Sequence, residues 1–219
     1  MAEVTAALVK EVRERSGAAM GDCRSALIEA GGDIEKSLEI IQKKGLAKAI
    51  KKAGAIASEG AIHSYIHAGA RIGVLLEVNS ETDFVARSAD FKQFADEIAM
   101  QIAAMNAQYV KREDIDAATI AKQKDIFAGQ LKEEGKPEAA WPKIIEGKLN
   151  KWMQEACLIE QMSIIQEGKT VEQVRSALVA KLGENIAIRR FVRWELGEGI
   201  EKAKKEDYAA EVARLAAGA

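Results

Sequence analysis

Apolar residues recur at helical spacing three times before residue 50. Val4, Ala7, Leu8 and Val12 share one face of a first helix, with Thr5 placed to cap its start and Ser16-Gly17 to stop it. Cys23, Ala26, Leu27 and Ala30 form the stripe of a second helix, which Asp22 is positioned to cap and Gly31-Gly32 to end. Ile34, Leu38 and Ile41 line a third, capped by Asp33 and stopped at Gly45. Three amphipathic helices this short make a small bundle with a marginal core, a form that usually serves as a docking module. The run from Lys43 to Lys52 then reads as a basic linker carrying Lys43, Lys44, Lys48, Lys51 and Lys52.

From Gly60 the period changes to two. Ile62, Ser64 and Ile66 point one way and His63, Tyr65 and His67 the other; Ala68-Gly69-Ala70 turns the chain, and Ile72, Val74, Leu76 and Val78 alternate in a second strand. His63 and His67 share a strand face, but four strand residues span about 13 Å, too far for two ligands of one ion. The hairpin leads into the polar connection Asn79-Ser80-Glu81-Thr82-Asp83-Phe84-Val85-Ala86-Arg87. Phe84, between Asp83 and Arg87, is a poor core element there and a better projecting anchor for a partner protein; the alternative is that it packs back beside Phe91.

A strong helical stripe follows, made by Phe91, Phe94, Ala95, Ile98, Ala99, Ile102 and Ala103. Helices over 117–134 and 138–156, broken at Gly135 and Pro137, pair as an antiparallel hairpin whose Trp141, Ile144, Ile145, Leu149, Trp152 and Met153 are expected to face the core. Residues 157–161 read as a short strand. Thr170 and Gln173 make a capping box for a helix through Leu182. A further strand alternates Ile186, Ile188, Arg190, Val192 and Trp194 with Ala187, Arg189, Phe191 and Arg193. In the tail, Tyr208, Val212 and Leu215 fall on one helical stripe that needs either the rest of the chain or a partner to cover it.

Composition narrows the function classes. The formal net charge of -2 is not that of a chain built around a phosphate-backbone field. Cys23 and Cys157, far apart and behind no secretion signal, read as reduced thiols of a cytoplasmic protein, and no apolar run is long enough to cross a bilayer. No nucleophile–base pair, metal-ligand spacing or phosphate-binding loop motif is visible, so neither an enzyme nor a cofactor or metal site is expected.

The order of several segments is specific. Gly17-Ala18-Ala19-Met20-Gly21-Asp22-Cys23-Arg24, the Asn79–Arg87 connection, Gly135-Lys136-Pro137, Gly147-Lys148-Leu149, Gly183-Glu184-Asn185-Ile186-Ala187-Ile188-Arg189-Arg190-Phe191 and Glu195-Leu196-Gly197-Glu198-Gly199-Ile200-Glu201-Lys202 together resemble the bacterial elongation factor Ts family in its short form. The first segment departs from the family's pattern at Ala19, Gly21 and Arg24, and Ser80 stands where the family often has Cys. The resemblance implies an α+β fold: a ubiquitin-associated-like three-helix bundle with a basic linker over 1–53, a core over 54–198 with a small antiparallel sheet and a helical hairpin, and a C-terminal helical module over 199–219.

It also implies a guanine nucleotide exchange factor for elongation factor Tu. The factor binds the GDP form, displaces magnesium, promotes GDP release and stays bound until GTP arrives. The residues carried over for magnesium displacement are Thr82, Asp83, Phe84 and Val85, with Met20, Tyr208 and Val212 as further partner contacts. The chain resembles members without a duplicated core half, so a homodimer that supplies the second half is a hypothesis. From the residues alone, the bundle, basic linker and basic strand suggest a second reading, an RNA- or ribosome-binding module, whose affinity would fall steeply with salt.

Overall fold

A computed structural model describes residues 4–200; the tail stripe of Tyr208, Val212 and Leu215 lies outside them. The bundle comprises α1 (Ala6–Ser16), α2 (Met20–Glu29) and α3 (Ile34–Lys52). Thr5 accepts from the Leu8 amide and Asp33 from the Lys36 amide, so both local capping signals act as the sequence predicts. Asp22 does not cap α2. The Cys23 amide already donates to the Ala19 carbonyl, so the helix begins before Asp22, whose carboxylate lies in the first turn and pairs with Lys48 at 2.9 Å. Val9, Val12, Cys23 and Leu27 are the buried centre of the bundle.

A three-stranded antiparallel sheet follows, with β2 (Ile72–Ser80) between β1 (Glu59–Ile66) and β3 (Ala187–Glu195). Gly60 faces Asn79 across the β1–β2 pair, and its φ of 140° allows a close approach: a Cβ there would meet the Val78 carbonyl oxygen at 2.2 Å. The long helix α5 (Ala89–Met105) covers the inner sheet face, and α8 (Val171–Leu182) packs against α5 and α3. Phe91, Phe94, Ile98 and Ile102 from α5 meet Val74, Leu76 and Val78 from β2 and Val171, Val174 and Val179 from α8. Thr170 and Gln173 form the expected reciprocal capping box, and Gly183 closes α8 in the left-handed region.

β3 breaks the strict alternation expected of it. Glu77 pairs with Arg190 and Val78 with Ile188, which leaves Arg189 as a bulge residue. Side-chain parity flips there. Ile188 points inward, Phe191 and Arg193 also point inward, and Arg190, Val192 and Trp194 point outward.

Gly45 does not end α3, and the run after it is not a linker. Gly45 is buried where α3 crosses α8, and a Cβ at that position would lie 3.7 Å from the Cβ of Ala180. Its missing side chain serves close helix packing, and Ala49, one turn later, joins the main core. Four of the five lysines of this stretch are paired on the helix surface: Lys43 with Glu39, Lys44 with Glu29, Lys48 with Asp22 and Lys52 with Glu81.

α6 (Ala117–Glu133) and α7 (Trp141–Ala156) form the helical hairpin, turned by Gly135 with Pro142 in the first turn of α7. Its apolar residues do not reach the core as expected. Trp141, Ile144, Ile145, Leu149, Trp152 and Met153 are half-buried, and full burial within the two helices is confined to Leu131 and Ala156. A stripe at helical spacing says that a face is covered, not by what; here its main cover is the neighbouring helix α6. The short strand expected over 157–161 is a single bridge between Tyr109 and Cys157 followed by a 3-10 turn over Leu158–Glu160. His63 and His67 have separate neighbours: Nε2 of His63 lies 2.8 Å from Oδ1 of Asp96, and Nδ1 of His67 lies 3.0 Å from the Tyr65 hydroxyl.

Candidate partner-binding site

β2 runs two residues further than the alternation suggests, to Ser80, and α5 begins at Ala89. Between them the expected polar connection contains a single helical turn, α4 (Asp83–Arg87). Thr82 caps it, accepting from the Val85 amide at 3.5 Å, and the Ala86 amide donates to the Thr82 carbonyl at 3.4 Å. The Ser88 hydroxyl donates to the Val85 carbonyl at 2.7 Å and accepts from the Phe91 amide at 3.3 Å, closing α4 and capping α5 with one side chain.

This geometry decides where Phe84 points. Val85 packs against the main core and Ala86 is buried within it. Successive residues of a helix are rotated by about 100°, so with positions 85 and 86 turned inward, position 84 must turn out. Phe84 is 81% exposed, while Phe91 is fully enclosed, so the two rings do not pack together. Asp83 and Arg87 form an exposed ion pair at 2.8 Å, which holds the Asp83 carboxylate on the same turn as the ring and adds little to stability.

A polar frame lies behind the turn. Ser80 Oγ donates to the Thr82 carbonyl at 2.8 Å, and Glu184 accepts from both the Thr82 hydroxyl and the Thr82 amide. Glu81 accepts from the Asn185 amide and from Lys52, and these donors hold its carboxyl below the usual glutamate range. None of Lys52, Glu81, Glu184 and Asn185 stands out as a site residue in the sequence. The one signal is that Glu81 and Glu184-Asn185 lie inside family-like segments; their partners are about a hundred positions away along the chain.

The other predicted contacts are dispersed. Met20 opens α2 on the bundle and is half-exposed, while Tyr208 and Val212 lie outside the described residues. A second surface was not predicted. The outer sheet face presents Ile62, Ile66, Leu75, Val192 and Trp194, all exposed. In register Leu75 and Val192 share one row with Ser64, Ile66 and Trp194 share the next across Gly73, and Ile62 lies opposite Glu77. At the far end of this face Arg189 and Arg190 both hold Glu77, at 2.6 Å each, and push its carboxyl below the usual range.

The described surface offers two features suited to docking, an aromatic ring held out on a braced turn and an open apolar sheet face. The elongation factor TS family model matches residues 2–198. The chain is 54% identical to the elongation factor Ts of Desulforamulus reducens over 213 residues, covering 97% of this chain and 98% of that protein. It is 55% identical to that of Carboxydothermus hydrogenoformans over 210 residues, covering 96% of each, and 53% identical to that of Geobacter metallireducens over 213 residues, covering 97% and 98%. The chain belongs to the elongation factor Ts family, and its function is nucleotide exchange on elongation factor Tu in translation elongation.

Proposed function

We propose that exchange is carried by the α4 turn: the chain binds the GDP form of elongation factor Tu, Phe84 enters an apolar slot on that partner, and Asp83 disturbs the surroundings of its magnesium ion. Thr82 and Val85 hold the turn in shape. The observation that carries this reading is the ring's 81% exposure on a turn whose two ends are tied down by Thr82 and Ser88. Burying one Phe yields about 1.5–3 kcal/mol, too little by itself to expel a tightly held nucleotide. Contacts elsewhere, with Met20 on the bundle and Tyr208 and Val212 in the tail, supply the remainder. Linkage is reciprocal, so whatever weakens GDP binding on docking weakens docking when nucleotide returns, and GTP releases the factor. The chemistry is displacement alone, performed in the cytoplasm. The test is release of a fluorescent GDP from elongation factor Tu with wild-type chain and with Phe84→Ala: loss of acceleration in the variant supports the role, and an unchanged rate refutes it.

The exposed sheet face supports a second element of this reading. The exposed apolar side chains of this face, Ile62, Ile66, Leu75, Val192 and Trp194, suit a second copy of the chain, sheet against sheet, which would complete the core half that longer family members carry in one chain. Sedimentation at micromolar concentration should show a dimer that Trp194→Glu dissociates; a wild-type monomer at that concentration would end the dimer reading and leave the Phe84 reading standing.

A further inference from the structure

Two carboxylates cross between the turn and the segment that follows α8, in opposite directions. Glu184 reaches forward: its Oε1 accepts from the Thr82 hydroxyl at 2.7 Å and its Oε2 from the Thr82 amide at 3.0 Å. Glu81 reaches back: its Oε1 accepts from the Asn185 amide at 2.7 Å, and Lys52 Nζ sits 3.1 and 3.4 Å from its two oxygens. The Asn185 side-chain amide then donates to the Ala55 carbonyl at 2.9 Å. The turn, the 183–185 segment and the end of α3 are thereby one hydrogen-bonded unit.

The Thr82 hydroxyl shows what the unit does. It has a single proton, and Glu184 takes it, so the lone pairs of that oxygen remain for the Val85 amide. The cap distance of 3.5 Å is long, so this bond alone would set the turn loosely. Glu184 also holds the Thr82 backbone, which fixes the residue from which the helical rotation of Phe84 is counted. A charged acceptor taking two donors from one residue is a stronger and more directional restraint than the long cap.

We propose that Glu184 is a positioning residue for exchange: through Thr82 it sets the direction in which Phe84 projects, and Glu81 with Lys52 ties that direction to α3 and so to the bundle. This rests on the role proposed for Phe84. Docking strength depends on several surfaces, whereas displacement depends on where the ring arrives. Loss of Glu184 therefore reduces the maximal rate of GDP release and spares the concentration at which release is half-maximal.

The test uses the full chain with fluorescent GDP on elongation factor Tu, comparing wild type, Glu184→Gln and Glu184→Ala. Glu184→Ala lowers the maximal release rate about tenfold, as expected for losing a charge-assisted bond pair. The half-maximal concentration stays within about twofold and the thermal midpoint within about 3 °C. Glu184→Gln, which keeps the shape and one acceptor, falls between. In the free protein, Glu184→Ala also speeds amide exchange at Val85 and Ala86 about tenfold while β2 amides keep their wild-type protection. A wild-type maximal rate in Glu184→Ala overturns the proposal, as does a loss that appears only as weaker docking or as a lowered midpoint. Should Glu184→Ala fail to fold, Glu184→Gln decides by the same readouts. If wild type and Phe84→Ala release GDP equally, the role of Phe84 fails, and the amide-exchange arm still judges whether Glu184 holds the turn.

Discussion

The α4 turn and the α6–α7 hairpin both carry aromatic rings outside the main core, and they are built in opposite ways. On the turn one ring is almost fully exposed, while Val85 packs against the core, Ala86 is buried in it, and the backbone is held by Thr82, Ser88 and Glu184. On the hairpin, Trp141 and Trp152 are half-covered; the Trp141 ring N–H is met by the Lys136 carbonyl, and Lys148 lies over the Phe127 ring. The hairpin distributes its apolar surface over two helices that cover each other. The turn concentrates it in one side chain that nothing in the described residues covers. Exposure of a ring on a rigid support is therefore the informative feature, not the count of aromatic residues.

The widest separation between buried and exposed rings should appear in stability. Phe91→Ala is expected to cost about 3–5 kcal/mol, because it empties a fully enclosed site, whereas Phe84→Ala should change stability by less than about 0.5 kcal/mol. Urea denaturation of both variants checks this, and a large cost at Phe84 would mean that the ring is packed after all. Trp152→Ala belongs between them, at about 1–2 kcal/mol for a half-buried ring, with GDP release within about twofold of wild type. A collapse of exchange in that variant would erase the functional contrast between the turn and the hairpin.

Smaller effects sharpen the support of the turn. Gly45→Ala should stabilise by up to about 1 kcal/mol, since a methyl group fits against Ala180 and helix propensity improves, while Gly45→Leu should pry α3 from α8. Glu77 and Glu81 have carboxyls held below the ordinary value of about 4.5 by their donors, the Arg189 and Arg190 side chains for Glu77 and the Asn185 amide with Lys52 for Glu81. Their contribution is fully present above that value and is lost as pH falls below it toward the folded-state values. Glu81→Gln should therefore lose stability less steeply than wild type as pH falls below about 4.5. The smallest effect is chemical: burial pushes the Cys157 thiol up to about 11, and Cys23 is fully enclosed, so native protein should resist thiol reagents that label it once unfolded.

Much of the architecture is legible because its signals are local. Thr5, Asp33 and the Thr170–Gln173 box act within three residues of themselves, and the β1–β2 hairpin follows from alternation and one turn. What is not legible depends on a partner element. Gly45 carries the same letter whether it stops a helix or admits a neighbouring one. The β3 parity flip at Arg189 is set by β2, and the apolar face of α7 does not announce that α6 rather than the sheet will cover it. The projection of Phe84 is readable from its polar surroundings. Its frame is not, because Thr82 and Glu184 lie 102 positions apart and meet only in the folded chain.

The central claim is that the exposed ring on α4 displaces the nucleotide. Stopped-flow release of fluorescent GDP from elongation factor Tu, at saturating wild-type or Phe84→Ala chain, tests it most directly. The account predicts rapid release with wild type and a rate near that of elongation factor Tu alone with the variant, which should remain folded. Equal acceleration by both would contradict it.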